Sequence, residues 1–342
     1  MADDPRRPAA ASGAEEGGAG SSLHLGIDLG ATNLKWAVVE RAPAPRSGEE
    51  DDAAWATLDR GQIPTRAGEG PDAVIGRLVE IGRAALARRP GIASLGIGVP
   101  GLYDPATGAT RFLVNVPGDW AGRPVAAPVS AALGLPVVLV NDARAFGLAE
   151  LRLGAGRGAR SMVGLTLGTG VGGVIAIDGR VHQGHDGTAG EVGHQTIDPD
   201  GPWCNCGNRG CLEAYARADQ IAHACGTASP EEAVRAAQAG DERALDGLRQ
   251  IGRYLGIGIA NLVTLITPDR VVLGGGVAQA GAFLFEPIRA ELRRRVTTTD
   301  LDQVELVPAE LGTWAGAIGA AIHGAERTTL GRRDGARRQG DG

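Results

Sequence analysis

The chain has 342 residues, of which 43% are hydrophobic and 22% charged, a composition ordinary for a globular protein and a length that allows two packed cores. The formal net charge of -6 argues against nucleic acid as a partner, because nucleic acid is bound by basic surfaces. No stretch approaches the roughly 18 consecutive apolar residues of a membrane span, and the first 22 residues lack the apolar segment of a secretory signal. The sequence therefore predicts a cytoplasmic protein with no membrane partner.

Both ends of the chain are rich in alanine, glycine, serine and charged residues. Such segments bury too little apolar surface to offset the entropy that is lost when a chain becomes ordered. We therefore predict disordered tails over residues 1–22 and 326–342.

The first half of the chain predicts strands and helices in alternation. In chain order these are strands at 23–30, 34–40 and 55–63, a helix at 71–89, a strand at 94–101, an irregular stretch to about 122, a short helix, a buried strand at 136–140 and a helix at 143–154. The helix at 71–89 begins with Pro and Asp and ends before Pro90 and Gly91, which are typical start and stop signals.

The chain then repeats a strand, glycine turn, strand pattern. Residues 25–39 (LGIDLGATNLKWAVV) align with residues 163–177 (VGLTLGTGVGGVIAI), and the apolar alternation keeps step. The aligned pairs are Gly26 with Gly164, Asp28 with Thr166 and Gly30 with Gly168. We interpret the repeat as an internal duplication. Glycine lets backbone N–H groups approach an anion, so two such loops predict a phosphate chain held between two domains.

The second loop also matches the dinucleotide pattern G-x-G-x-x-G, and Glu191 lies roughly where an acidic ribose ligand would be sought. That motif must open a helix. Here the chain continues as the β-branched strand VIAIDGRV. The pattern therefore disfavours a dinucleotide-binding Rossmann fold.

The second half of the chain predicts mostly helices after residue 210. They are helices near 211–224, 230–239 and 241–266, a strand at 270–276, a helix near 281–295, a strand near 303–308 and a final helix near 314–325. We predict a smaller domain over 23–141, a larger one over 142–313, and a final helix that packs back on the first domain.

Three of the four cysteines form a cluster with a histidine. Cys204, Cys206 and Cys211 are spaced C-x-C-x4-C, and His194 lies ten positions before the first of them. Three thiolates and one imidazole are a usual ligand set of structural zinc, and a closed set leaves no position for catalytic water. Buried cysteines are also common as small apolar residues. These three lie among Asn, Gly and Arg, however, whereas Cys225 lies in an apolar helical stretch and is predicted to be core.

Three carboxylates stand out near these motifs. Glu191 and Glu213 flank the predicted metal ligands, and a rigid loop would suit them to accept hydrogen bonds from a polyhydroxylated ligand, although most surface glutamates are only solvated. Asp142 follows a buried strand and begins a helix. It can serve as an N-cap, as a base that accepts the proton of an attacking hydroxyl, or as both.

Four segments together resemble the motifs of the ROK family of bacterial sugar kinases and repressors. GIDLGATNLK resembles the first phosphate motif D-x-G-G-T-x-x-K, with Ala31 in place of the second glycine; NDARAFGLAE resembles the catalytic motif; LTLGTGVGG resembles the second phosphate motif; and AGEVGH with CNCGNRGCLE resembles the sugar and zinc signature. The resemblance runs from about residue 23 to 325. It implies an α/β, duplicated actin-like and hexokinase-type ATPase fold with two domains, a cleft and a zinc-pinned loop.

The resemblance also implies a role for each site residue. Asp142 would be the general base, and the sugar hydroxyls would be held by Asn141, Glu191, His194 and Glu213, with His194 also a zinc ligand. Asp28 would position a Mg²⁺ nucleotide. The phosphates would be lined by Gly30, Thr32, Gly168, Thr169 and Gly170, and the adenosine by Gly274, Gly275 and Gly276. Lys35, the chain's single lysine, matches the lysine of the motif, and whether it contacts phosphate stays open.

The implied activity is transfer of the γ-phosphoryl group of ATP to the 6-hydroxyl of a hexose, most similar to that of the bacterial glucokinases. Only 22 residues precede the first predicted strand, which favours the kinases over repressors that carry an N-terminal helix-turn-helix. The alternatives are a kinase for an N-acetylhexosamine or fructose, a catalytically silent sugar sensor, and a chaperone or filament ATPase, which has no use for zinc-pinned carboxylates. The preferred epimer and the use of polyphosphate stay open, and the family implies a homodimer or homotetramer.

Overall fold

The structure is a computed structural model that describes residues 20–43 and 54–340, with the surroundings of side chains described as far as residue 329. The predicted N-terminal tail lies almost wholly outside the described residues. In the described chain no helix is both long enough and apolar enough to cross a membrane.

The first half of the chain forms a five-stranded sheet, a small three-stranded sheet and three helices. In chain order the elements are β1 (Ser22–Leu29), β2 (Asn33–Arg41), β3 (Trp55–Pro64), α1 (Pro71–Arg88), β4 (Ile92–Val99), β5 (Gly101–Asp104), β6 (Ala109–Leu113), β7 (Arg123–Pro124), α2 (Ala126–Leu133), β8 (Val137–Asn141) and α3 (Asp142–Leu153).

The second half forms another five-stranded sheet and six helices within the described range. In chain order these are β9 (Met162–Leu167), β10 (Val171–Ile177), β11 (Arg180–Val181), α4 (Glu213–Ala216), α5 (Ala218–Cys225), α6 (Pro230–Gln238), α7 (Glu242–Ile266), β12 (Arg270–Gly275), α8 (Ala282–Arg295), β13 (Glu305–Pro308) and α9 (Ala315–Gly340).

The two large sheets have the same topology. Their strand orders are β3-β2-β1-β4-β8 and β11-β10-β9-β12-β13. In each sheet the first three strands of the repeat pair antiparallel, and the next two join in parallel. This equivalence confirms the internal duplication that the aligned glycine turns predicted. The placement of a domain boundary between residues 141 and 142 stays a prediction.

Helix α9 packs across the first sheet and against α3, and small residues make this close approach possible. A Cβ atom on Gly26 would lie 1.9 Å from the carbonyl oxygen of Ala317, and one on Gly96 would lie 1.8 Å from that of Ala320. Any larger residue at these two positions would push the helix off the sheet. The final helix therefore packs on elements from the first half of the chain.

Three predictions about local structure were wrong. The stretch predicted to be irregular after residue 101 contains β5, β6 and β7, which form their own sheet. The helix predicted over 211–224 is broken into α4 and α5, because Arg217 is extended (φ -74°, ψ 162°). Helix α9 continues to Gly340, through most of the predicted C-terminal tail, since a helix already nucleated by packing extends easily through arginine and alanine.

Candidate active site

The junction between β8 and α3 holds the carboxylate that the sequence singled out. Asn141 is the N-cap of α3, and its Oδ1 accepts hydrogen bonds from the backbone N–H groups of Ala143 (3.1 Å) and Arg144 (3.2 Å). Its Nδ2 donates to the carbonyl oxygen of Gly101 at 3.2 Å. The cap is thus Asn141 and not Asp142, which is the first residue of the helix. The Asp142 side chain also bonds to the start of the helix, because its Oδ1 accepts the backbone N–H of Ala143 at 2.8 Å.

Asp142 lies in an environment that favours its protonated form. Burial, and after it the nearby carboxylates of Asp28 and Glu191, raise its pKa to about 7, against the backbone N–H of Ala143, which lowers it. Burial also raises the pKa of Asp28 to about 6, against the opposing charge of Lys35. A carboxyl group with a pKa near neutrality is suited to accept a proton in the transition state.

Asp28 is held on β1 in a tight space. A Cβ atom on Gly316, at the start of α9, would lie 2.7 Å from Oδ2 of Asp28. Lys35 on β2 is its direct cross-strand partner in the antiparallel register. The single lysine of the chain therefore lies beside the carboxylate of the first glycine motif, a pairing that the hairpin register creates.

The four predicted metal ligands come together. One ligand atom from each of His194, Cys204, Cys206 and Cys211 lies within 4.8 Å of the others. The Sγ atoms of Cys206 and Cys211 are 3.7 Å apart, and Nδ1 of His194 is 3.7 Å from Sγ of Cys204. Tetrahedral zinc with Zn–S bonds of about 2.3 Å separates its sulfur ligands by about 3.8 Å. The residues present therefore fit a zinc ion.

Cys225 is not part of this cluster. It is 2% exposed within the core of the second sheet, its Sγ donates to the carbonyl oxygen of Ala244 at 3.6 Å, and burial raises its pKa to about 11. The prediction that this cysteine is a core residue is confirmed.

Glu213 links the metal cluster to the second glycine loop. Its Oε1 lies 3.7 Å from Sγ of Cys204, and its Oε2 accepts the backbone N–H of Val171 at 2.9 Å. A Cβ atom on Gly170 would lie 2.4 Å from that same Oε2, so the loop needs glycine there. One oxygen of Glu213 is thus already bonded to the protein, a constraint that the sequence did not indicate.

The two glycine segments of the second sheet lie at the same end of adjacent strands. Gly275 on β12 is paired in register with Leu167 on β9, so the predicted adenosine segment (Gly274, Gly275, Gly276) adjoins the predicted phosphate loop (Gly168, Thr169, Gly170). Gly275 has a φ of +100°, and a Cβ there would lie 2.0 Å from the carbonyl oxygen of Leu167. The carbonyl oxygen of Gly168 accepts the N–H of Ala218 at 2.9 Å, and the break between α4 and α5 allows this bond.

The loop between β1 and β2 forms a similar turn in the first sheet. Gly30 donates its N–H to the carbonyl oxygen of Asn33 at 3.1 Å, and the carbonyl oxygen of Thr32 accepts the N–H of Thr65 at 2.8 Å. The side chain of Thr32 is exposed. The turn is therefore built from backbone bonds and presents its threonine to solvent.

Arg144 is a site residue that the sequence analysis missed. Its side chain is only 2% exposed; Nε and Nη2 donate to the carbonyl oxygen of Ala189 at 3.1 and 2.8 Å, and Nη2 also donates to Oε1 of Glu191 at 3.2 Å. The Glu191 side chain is 43% exposed, so Arg144 orients its carboxylate while part of that carboxylate stays accessible to solvent. An arginine inside the otherwise apolar run ARAFGLA was the available signal, because a buried guanidinium needs acceptors.

Comparison with known proteins gives consistent matches over most of the chain. The sequence model of the ROK family matches residues 24–326. A glucokinase of Halalkalibacterium halodurans is 33% identical over 320 residues, which are 86% of this chain and 93% of that protein. The ROK hexokinase of Thermus thermophilus superposes with a TM-score of 0.76 at 36% identity, covering 90% of this chain and 99% of the other.

A second solved structure carries ligands. The ROK family glucokinase of Streptomyces griseus, in complex with glucose and AMPPNP, superposes with a TM-score of 0.72 at 30% identity and covers 89% of this chain and 100% of the other. Together with the equivalent topology of the two large sheets, these likenesses confirm the expected duplicated actin-like and hexokinase-type ATPase fold.

Proposed function

The chain belongs to the ROK family, and from that premise we propose that it is an ATP-dependent hexose kinase that phosphorylates the 6-hydroxyl of glucose. The observation that carries the proposal is Asp142, a carboxyl group at the start of α3 whose pKa is raised to about 7 by burial and by neighbouring carboxylates. A protein that only binds a sugar has no need of a base at this position. The glucose and AMPPNP bound to the glucokinase of Streptomyces griseus support the choice of substrates.

In the proposed reaction Asp142 accepts the proton of the 6-hydroxyl as that oxygen attacks the γ-phosphorus of ATP. Asp28 would hold the Mg²⁺ that accompanies the nucleotide, and this ion would supply neutralising charge to the phosphates. Phosphoryl transfer depends mainly on positioning and electrostatic stabilisation. The phosphates and adenosine lie against the glycine segments, which are Gly30 with Thr32, Gly168 to Gly170 including Thr169, and Gly274 to Gly276.

The sugar hydroxyls are held by a mixed set of groups, namely Asn141, Glu191, His194 and Glu213. Glu191 is the most exposed carboxylate of this set and Glu213 keeps Oε1 near the metal cluster. A zinc ion bound by His194, Cys204, Cys206 and Cys211 would fix the loop that carries Glu191, His194 and Glu213. Because all four ligand positions come from the protein, the ion has a structural role.

The main rival is a kinase for another hexose, such as an N-acetylhexosamine or fructose, and a second is a catalytically silent sugar sensor. ATP consumption that depends on sugar separates the sensor from the kinases. A coupled assay with a panel of sugars and with ATP or polyphosphate as donor tests the proposal directly. The dimer or tetramer expected for the family, and a cytoplasmic location, stay predictions.

Glucose is expected to have the highest kcat/KM, with mannose and glucosamine lower, N-acetylhexosamines lower still and deoxy sugars poor. A buried acceptor that loses its hydroxyl partner costs about 1 to 3 kcal/mol, and an unsubstituted aldohexose satisfies these acceptors without requiring an apolar pocket for an acetyl methyl group. The measurement is kcat/KM for each sugar at saturating Mg-ATP. An N-acetylated sugar favoured about tenfold, or about 1.4 kcal/mol, would contradict glucose specificity and leave the kinase activity standing.

Replacing Arg144 with methionine is expected to raise the KM for glucose about tenfold with a smaller change in kcat, because Glu191 loses the donor that orients it, and a hydrogen bond to a charged group contributes about 1.5 to 3 kcal/mol. Steady-state kinetics at saturating ATP measure both constants. Arg144→Lys should restore only part of the affinity, since lysine lacks the two-pronged donor geometry.

The matched control for this substitution is Arg160→Met. Arg160 forms an ion pair with Asp178 at 3.3 Å, but its side chain is 86% exposed, so the pair contributes little. Equal kinetic constants in the Arg144 and Arg160 variants would show that Arg144 does not orient Glu191.

A further inference from the structure

A cavity of about 850 Å³ lies beside the candidate active site and shares Arg144 with it. None of Asp142, Glu191 and Glu213 lines it. Its walls are the outer edge of β8, which has no strand partner among the described residues, the segment 101–108 around β5, the loop 183–188, and residues 323–329 of α9. Elements of both halves of the chain thus enclose one space, and its size suits a small organic molecule.

The charge of this cavity differs from that of the whole protein. Six arginines line it, namely Arg41, Arg111, Arg144, Arg152, Arg180 and Arg327. Three carboxylates line it, namely Asp104, Asp186 and Glu326. The chain as a whole has a net charge of -6. The cavity therefore has an excess of positively charged side chains, although the protein as a whole is acidic.

Three of these arginines, Arg41, Arg111 and Arg327, form no ion pair with a carboxylate among the described residues. Within the part of the chain that the structure describes, Arg327 forms no ion pair or hydrogen bond, and Arg41 donates only to the hydroxyl of Thr329 at 3.3 Å while lying over the ring of Trp55. Arg152, by contrast, pairs with Glu326 at 3.1 Å. Arg41 and the exposed Arg327 thus place unpaired positive charge on the wall where β2 meets α9.

Tyr103 and Arg144 also line this cavity. Burial raises the pKa of the Tyr103 hydroxyl, and the charges of Arg144 and Arg327, which line the same cavity, oppose that rise. Arg144 also holds Glu191 on its other side. Like charges brought together repel one another, and an anion between them removes that repulsion.

Part of the remaining wall is apolar. Val138 and Val140 of β8, Ala126 of α2 and Leu148 of α3 line the cavity between the charged groups. An inorganic ion would leave this surface in contact with water, whereas an organic body would cover it. Guanidinium groups bind phosphate through paired, charge-assisted hydrogen bonds.

We propose that this cavity is a binding site for a small phosphorylated metabolite of three to six carbons, distinct from the sugar and nucleotide sites. The phosphate lies against Arg41 and Arg327, next to the Tyr103 hydroxyl, and the carbon skeleton lies along the edge of β8. The proposal does not depend on the hexose kinase activity, because it concerns a separate ligand and is tested by binding.

The test is isothermal titration calorimetry of the full chain with 3-phosphoglycerate. We expect one site, and we expect the double variant Arg41→Gln/Arg327→Gln to weaken binding at least about tenfold, as loss of bonds to a charged group does. The matched control is Arg83→Gln/Arg293→Gln, which removes the same charge at two exposed positions and should bind as the unaltered protein does. If the first double variant does not fold, as judged by thermal melting, Arg327→Gln alone replaces it.

Competing probes decide between the possible binding places. Saturating Mg-AMPPNP should leave the binding of 3-phosphoglycerate unchanged. Displacement by the nucleotide would place the probe at the glycine loops and overturn the proposal. So would equal weakening in both double variants, equal affinity for inorganic phosphate, or no binding at millimolar probe concentration.

Discussion

Replacing Asp142 with asparagine is expected to lower kcat for hexose phosphorylation by about 10²-fold or more, the usual scale of general-base catalysis, while hexose affinity stays close to that of the unaltered protein. Asparagine keeps the shape and hydrogen-bonding capacity of aspartate but cannot accept a proton. The fold should survive, since Asn141 and not Asp142 caps α3. Kinetics and calorimetry on the same variant measure the two quantities.

The pH dependence of the unaltered protein should reflect the same carboxyl group. The base is active only when ionised, so kcat/KM should fall as the pH drops below about 7, the value to which burial and the neighbouring carboxylates raise the pKa of Asp142. The folded state also binds this proton more tightly than the unfolded state, so unfolding free energy should decrease as the pH rises from about 4 to about 7. In Asp142→Asn this part of the pH dependence should be absent.

The control for the substitution is Asp178→Asn. Asp178 is an exposed turn residue with a φ of +50°, a conformation that asparagine tolerates well, so this variant should keep its turnover and its pH profile. Near-normal turnover in Asp142→Asn, or an unchanged acidic limb in its residual activity, would show that another group accepts the proton.

The strands of the two large sheets could be predicted because a buried strand is visible in the sequence as a run of apolar residues. Segments such as LHLGIDL and VVLV are apolar through most of their length, as expected for strands covered on both faces. The duplication was visible for the same reason, since the aligned glycine turns interrupt equivalent apolar runs. The sheet of β5, β6 and β7 was missed because strands of two to five residues carry too little periodicity to be recognised.

Candidate site residues could be picked out where a motif fixed their spacing. The tertiary contacts that orient them could not be predicted from the sequence. Glu191 was identified from its distance to His194, but its orientation depends on Arg144, which lies 47 positions away. Likewise, the bond between Glu213 and the N–H of Val171 spans 42 positions. No local pattern carries such information, and the raised pKa of Asp142 depends in the same way on Asp28, which belongs to a different strand.

Replacing Cys211 with serine is expected to abolish zinc binding, lower the melting temperature and raise the KM for glucose at least about tenfold, the scale seen when groups that support a metal site are lost. The unaltered protein should contain about one zinc per chain by elemental analysis. Cys211 is fully buried, so a serine there leaves a polar group and a weaker ligand where a thiolate closed the set. Metal content, thermal melting and steady-state kinetics on one preparation measure the three effects.

Cys225→Ser is the matched control, because it makes the same chemical change at a buried cysteine outside the metal cluster. It should lose some stability and keep both its zinc and its KM. In the proposed site the coupling from metal to sugar would run through two residues: His194 would be a ligand, and Glu213 lies 3.7 Å from Sγ of Cys204. Since Glu213 also accepts the N–H of Val171, loosening the cluster should disturb the second glycine loop and raise the KM for ATP as well. A zinc-free Cys211→Ser protein with unaltered KM for both substrates would mean that the cluster stabilises the fold without positioning the site.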